Sequence, residues 1–159
     1  LTDTRFDSLL AWPGHEGPRP AKDTARPLTS KERALYVKGH TIYSGLCASC
    51  HGAEGKGMPM LAPPLVKSDW VTGDPDRLAR ILLHGLEGAI EVAGKTYAPP
   101  EILPAMPPAG MMSNDELAAT MTYIRRAWGH QADPVTGGDI QRNRDLTATQ
   151  EGAYSTTDW

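Results

Sequence analysis

Phenylalanine occurs once in the 159 residues, cysteine only twice, and basic residues do not outnumber acidic ones. With so few aromatics beside 14 prolines and 16 glycines, the chain reads as loop-rich and short of apolar volume, so its core needs something else, such as a cofactor, to close around. Sixteen basic and 19 acidic residues give a net charge of −3. That is no electrostatic footprint for nucleic acid or an anionic membrane surface. No stretch approaches the roughly 20 apolar residues of a membrane span, so no transmembrane segment is expected. Leu1 to Leu10 lack the charged and apolar regions of a signal peptide, and the chain starts at Leu rather than Met. It is expected to be a processed protein or a piece of a longer one, and the missing signal says nothing against an exported origin. The length suits one domain with extensions rather than two enzymatic domains.

What is present divides the chain by composition. Residues 1–28 hold four prolines and balanced charges and read as an irregular leader or linker. Residues 29–129 hold both cysteines and all six methionines and form the domain. Residues 130–159 carry the whole net charge as an acidic extension, from which Tyr154 and Trp159, like Trp12 in the leader, are suited to dock on the domain. Thr29-x-x-Glu32 is a capping-box pattern that opens a helix running through Leu35, Tyr36 and Ile42 toward Cys47. Asp74-Pro75 opens a second helix, which carries Leu78, Ile81 and Leu82 on one face and stops at Gly85. Ser113-x-x-Glu116 opens a third, with the stripe Leu117, Met121, Ile124 and Trp128 and an end at Gly129. Ile90-Glu91-Val92 and Lys95-Thr96-Tyr97 flank Gly94 as a small hairpin, and a short fourth helix is expected over 139–149 behind Thr136.

The two cysteines stand at Cys47-Ala48-Ser49-Cys50 with His51 next. This CxxCH pattern is the attachment motif of c-type haem. Thiols three residues apart at the end of a helical turn reach the two vinyl groups of one porphyrin, and the following imidazole serves as proximal iron ligand. A thioredoxin-like dithiol expects a strand before the motif and a βαβ setting, whereas an amphipathic helix precedes it here. A zinc site needs about four ligands, and His15, His40, His84 and His130 follow no ligand spacing. A Cys47–Cys50 disulfide would close a very small strained loop.

The run Gly39-x-x-x-Tyr43-x-x-x-Cys47-Ala48-x-Cys50-His51-Gly52, with Pro63-x-Leu65, Met106-Pro107, Ser113-x-x-Glu116-Leu117-Ala118 and Tyr123-Ile124, resembles a class I mono-haem cytochrome c. Leu82-x-His84-Gly85-Leu86, Ile90-Glu91-Val92-x-Gly94-x-x-Tyr97 and Trp128-Gly129 narrow the resemblance to domains associated with, or fused to, quinoprotein sugar or alcohol dehydrogenases. The resemblance implies an all-α cytochrome c fold, its N- and C-terminal helices crossing near-perpendicularly around one covalent haem c. Gly39 would permit their close approach, with Tyr43 and Tyr123 as aromatic partners there. It also implies Met106 as the second iron ligand, the Pro63 carbonyl as acceptor for the His51 Nδ1–H, and Leu65 packed on the ring. The prolines around Met106 fix φ and present its side chain at low entropic cost. Met111 and Met112 are expected to pack or to sit near the haem edge, and Met121 to belong to the helix stripe. Met58 and Met60 are not excluded by reach. Trp70, Arg80 and Tyr97 are candidate donors to the haem propionates, while His40 and His84 read as polar helix residues. The segment Pro99-Pro100-Glu101-Ile102-Leu103 lengthens the path into the Met106 loop beyond the simplest family pattern.

The function these readings imply is one-electron transfer rather than enzymatic turnover, in the periplasm or another extracytoplasmic compartment. A dehydrogenase, fused or dedicated, would be the donor, and an oxidase or another cytochrome the acceptor. A haem enzyme or a gas or peroxide sensor with an open sixth site is the alternative. A third reading makes the haem only a structural staple of an interaction module.

Overall fold

A computed structural model describes residues 26–159; most of the leader expected over 1–28, Trp12 included, lies outside the described residues. Helix α1 (Ser30–Ile42) starts at the expected capping box. Thr29 Oγ1 accepts the Glu32 N–H, and Glu32 Oε2 accepts the Thr29 N–H at 2.8 Å. The helix then widens into one π-turn, Tyr43–Cys47, where the Ala48 N–H reaches back five residues to Tyr43 O. That extra residue re-aims the following turn, α2 (Ala48–His51). A short α3 (Asp69–Thr72) leads into α4 (Pro75–His84), capped by the Asp74 side chain and stopped by Gly85 at φ +88°. Helix α5 (Asn114–Ile124) has the capping box predicted at Ser113 and Glu116.

Gly39 lies where α1 meets α5: a Cβ built on it would fall 1.9 Å from the Ala119 carbonyl oxygen. Only a residue without a side chain lets the two backbones come this close. Tyr43 and Tyr123 meet beside it as tilted rings with centroids 5.3 Å apart, and the Trp128 indole lies edge-on to both. Trp128 is not on the helix stripe predicted for it, because α5 ends at Ile124 rather than at Gly129. The Arg126 and Ala127 N–H groups both return to Tyr123 O, and the tightened turn, with Trp128 at φ 56°, swings the indole back onto the tyrosines.

Helices do not make up the whole of the fold: among the described residues, five short strands join them. β2 (Ile90–Val92) and β3 (Lys95–Tyr97) form the predicted hairpin, turning through Ala93 and Gly94, both at positive φ. A second sheet, in the order β4-β1-β5, joins β1 (Leu86–Glu87), β4 (Ala105–Met106) and β5 (Tyr154–Ser155), with β1 and β5 parallel. Two-residue strands carry no alternating pattern to read, so nothing in the residue order announces them.

The acidic segment 130–159 packs onto this framework. Helix α6 spans Gly137–Leu146 instead of 139–149, because Thr136 caps it and Asp139 completes the box. Its Ile140 is fully buried in the main core with Leu78, Leu117 and Met121. Arg125, predicted by nothing in the sequence, is 4% exposed. Its guanidinium donates to Val71 O at 2.7 Å, Gly73 O at 2.9 Å and Asp133 O at 2.8 Å, fastening α3 and the start of the extension to the end of α5. Burial pushes its pKa below the ordinary guanidinium value, and these carbonyls replace the lost water.

Candidate functional site

Two apolar clusters flank one cavity. The larger includes Tyr43, Val71, Leu82 and Ile124; the smaller is Ile90, Val92 and Ile102, with Trp70, Leu86 and Tyr97 against it. Ile102 comes from the unexpected 99–103 segment, which is tied down by Leu103 N–H to Leu61 O at 3.0 Å and Met60 N–H to Glu101 O at 2.8 Å. Residues of both clusters line a cavity of about 400 Å³, within the range of cofactor pockets.

Cys47, Cys50, His51, Pro63, Leu65, Trp70 and Met106 all line this cavity. Both cysteines are free thiols. Burial first, then the neighbouring Cys50, pushes the Cys47 thiol above its ordinary value. The His51 ring is held by its Nδ1, 3.1 Å from the Pro63 carbonyl oxygen. A carbonyl only accepts, so Nδ1 carries the proton and Nε2 the lone pair. Burial favours this neutral form by lowering the His51 pKa, opposed by the Pro63 bond. The motif is rigidly mounted: the Tyr43 hydroxyl donates to Gly52 O at 2.6 Å just beyond His51.

The methionines separate by position. Met106 is half-buried on β4, where it pairs with Leu86. Gly85 makes this possible, since a Cβ there would lie 2.6 Å from Met106 O. Met111, 98% exposed, and Met112, half-buried, also reach the cavity lining. Met58 and Met60 do not line it, and Met121 is fully buried in α5.

The three candidate propionate donors are dispersed. Trp70 lines the cavity, but its Nε1–H donates to Glu91 O at 3.0 Å, and the Arg77 guanidinium lies 4.3 Å over its ring. Arg80 is outside the lining, with its Nε–H on Asn143 Oδ1 at 3.1 Å. Tyr97, also outside it, packs on the hairpin cluster under Lys95, whose ammonium is 4.4 Å from the ring centroid. The His40 ring lies tilted against Tyr123 with centroids 5.1 Å apart, and His84 Nε2 lies 2.7 Å from Thr147 Oγ1.

The donor set and the lining fit a haem. Thr120 Oγ1 donates to Glu116 O, and the Tyr43 and Trp70 donors are likewise spent on backbone carbonyls. What remains facing the cavity is largely aliphatic, proline and methionine surface, beside two thiols and one neutral imidazole, which suits an apolar macrocycle with a metal at its centre. Among the described residues no three His, Cys, Asp or Glu side chains gather as a metal cluster. Sequence reasoning missed one residue at the site's edge: Arg144 of α6, which bonds the backbone following Met106. Two of its acceptors are backbone carbonyls, which no residue pattern advertises, and the third, Asn114 Oδ1, lies 30 positions away in the chain.

Comparison with known proteins agrees with this chemistry. The family model for cytochrome c matches residues 36–128. Cytochrome c-552 of Thermus thermophilus is 35% identical over 122 residues, covering 71% of this chain and 88% of that protein. The cytochrome c subunit of a quinone alcohol dehydrogenase from Gluconacetobacter polyoxogenes is 33% identical over 128 residues, covering 79% of this chain. The match spans only 26% of that subunit's length. A cbb3-type cytochrome c oxidase subunit CcoP from Azospirillum brasilense is 38% identical over 72 residues, 42% of this chain and 24% of the relative. The chain belongs to the cytochrome c family, in its class I form.

Proposed function

We propose that this chain is a one-electron carrier built on a single haem c, attached through Cys47 and Cys50 and ligated by His51 and Met106. The observation that carries the reading is one apolar cavity lined at once by both thiols, the neutral His51 imidazole and Met106. When bound, the haem supplies an iron that alternates between two oxidation states, and Met ligation raises its potential relative to bis-His ligation. The chain's residues do the rest. Pro63 holds the His51 proton on Nδ1 and thereby orients the ring. Pro104, Pro107 and Pro108 stiffen the Met106 loop. Leu65, Leu82, Ile90 and Ile102 exclude water from the cavity.

The resemblance of the chain to alcohol dehydrogenase cytochrome subunits supports a quinoprotein dehydrogenase, fused or dedicated, as electron donor. The resemblance to CcoP supports an oxidase or another cytochrome as acceptor. Met106, Pro107, Pro108, Met111 and Met112, which all line the cavity, would form an apolar patch for short-lived docking. The site of action is periplasmic or otherwise extracytoplasmic. No described helix is long and apolar enough to cross a membrane. Denaturing electrophoresis with haem staining tests the attachment. The band should keep its haem, Cys47→Ala together with Cys50→Ala should abolish the stain, and haem extractable from the wild type by acid acetone would refute covalent attachment.

A further inference from the structure

The segment 130–159 lies beyond the family match, which ends at 128, yet it closes on the loop that carries Met106. From α6, one guanidinium reaches three acceptors. Arg144 Nη1 donates to Gly110 O at 2.7 Å, Nη2 to Met112 O, and Nε to Asn114 Oδ1 at 2.7 Å. Those acceptors are the return of the Met106 loop and the first residue of α5. The rigid fork of an arginine suits several acceptors held at once, and its charge strengthens each bond.

The other arm of the loop is held through the sheet. Met106 pairs with Leu86, Leu86 pairs in parallel with Tyr154, and the Tyr154 N–H donates to Gly85 O at 3.1 Å. Ala109 N–H closes the middle of the loop on Leu82 O at 2.7 Å. The brace is itself anchored. Asn143, fully buried, donates to Asp76 Oδ1 at 2.8 Å, and Thr147 Oγ1 spends its proton on Asn143 O at 2.7 Å. That hydroxyl therefore accepts from His84 Nε2–H at the end of α4.

We infer that the C-terminal extension is a brace for the Met106 loop and that Arg144 is its positioning residue, keeping the Met106 thioether on the iron against competing ligands. The inference rests on Met106 being the distal ligand. Without Arg144, the Gly110 and Met112 carbonyls lose their charged donor and the loop opens more often.

The test uses the ferric, haem-loaded full chain and measures the rate of imidazole binding to the iron together with the near-infrared sulfur–iron band. Arg144→Ala should bind imidazole roughly tenfold faster or more and show a weakened band, with Arg144→Lys in between, because an ammonium satisfies fewer of the three acceptors. Thr29→Ala, which removes the α1 cap far from the loop, controls for general destabilisation and should leave the rate near wild type. A wild-type rate and band in Arg144→Ala, or equal acceleration in Thr29→Ala, overturns the brace. If Arg144→Ala fails to fold, Arg144→Lys decides, and a wild-type rate there overturns it too. Met106→Ala keeps the two readings apart. If it retains the band, the ligand assignment fails; if it loses the band while Arg144→Ala changes nothing, only the brace fails.

Discussion

Asp76, in the first turn of α4, joins that helix to α6 through one oxygen: Oδ1 accepts from Arg142 Nη2 at 2.7 Å and from Asn143 Nδ2 at 2.8 Å. The Asn143 bond, and then Arg142, hold its carboxyl below the ordinary 3.8, against the opposing effect of burial. On acidification the unfolded chain therefore takes up the proton first. The stabilisation is complete above pH 3.8 and is lost as the pH falls through the lower folded value. Denaturant titrations of wild type and Asp76→Asn should differ most near neutral pH and converge in strong acid; a difference that persists there unchanged contradicts the account. Residues tied by short-range chemistry were legible from the sequence: the motif of Cys47, Cys50 and His51 announces itself. The choice among six methionines was not settled by the residues alone, and packing removes Met58, Met60 and Met121 from the cavity. Asp76, Arg125 and Arg144 stayed illegible because their partners lie far along the chain or are backbone carbonyls.

At the scale of elements, the joint between α1 and α5 depends on the absence of one methyl group. Gly39→Ala would place a carbon against the rigid Ala119 backbone, where no side chain can swing aside. It should cost about 3 kcal/mol or more, at the upper end of overpacking effects. Gly45, in the π-turn, has open space around its Cβ position and no positive φ. Gly45→Ala should stabilise by about 0.5–1 kcal/mol, as an exposed helical glycine does when replaced. Chemical denaturation of the two variants checks the contrast, and equal effects would mean the helix contact is misplaced. Helix starts were legible because a cap is a local bargain between a side chain and an N–H three residues away. The end of α5 was not, because Trp128 leaves the helix for a tertiary aromatic contact. The β4-β1-β5 sheet was not legible either, since it joins residues nearly 70 positions apart in the chain, such as Leu86 and Tyr154.

Over the whole molecule, residues 31–129 carry ten basic and ten acidic side chains, and the net negative charge falls in the C-terminal extension. Long-range steering usually accompanies a one-signed face, which this balance does not favour. A tethered donor replaces steering with effective concentration. Electron transfer to the isolated chain from a quinoprotein dehydrogenase should accordingly vary little with ionic strength and gain greatly when the two are fused. A steep fall with salt would contradict the tethered reading. Near-infrared absorption of the ferric, haem-loaded protein reports whether His51 and Met106 together hold the covalent haem. The wild type should show a weak sulfur-to-iron charge-transfer band that survives Met111→Ala and Met112→Ala and disappears in Met106→Ala. High-spin features in the wild type, or a band that vanishes with Met111 or Met112 instead, would contradict it.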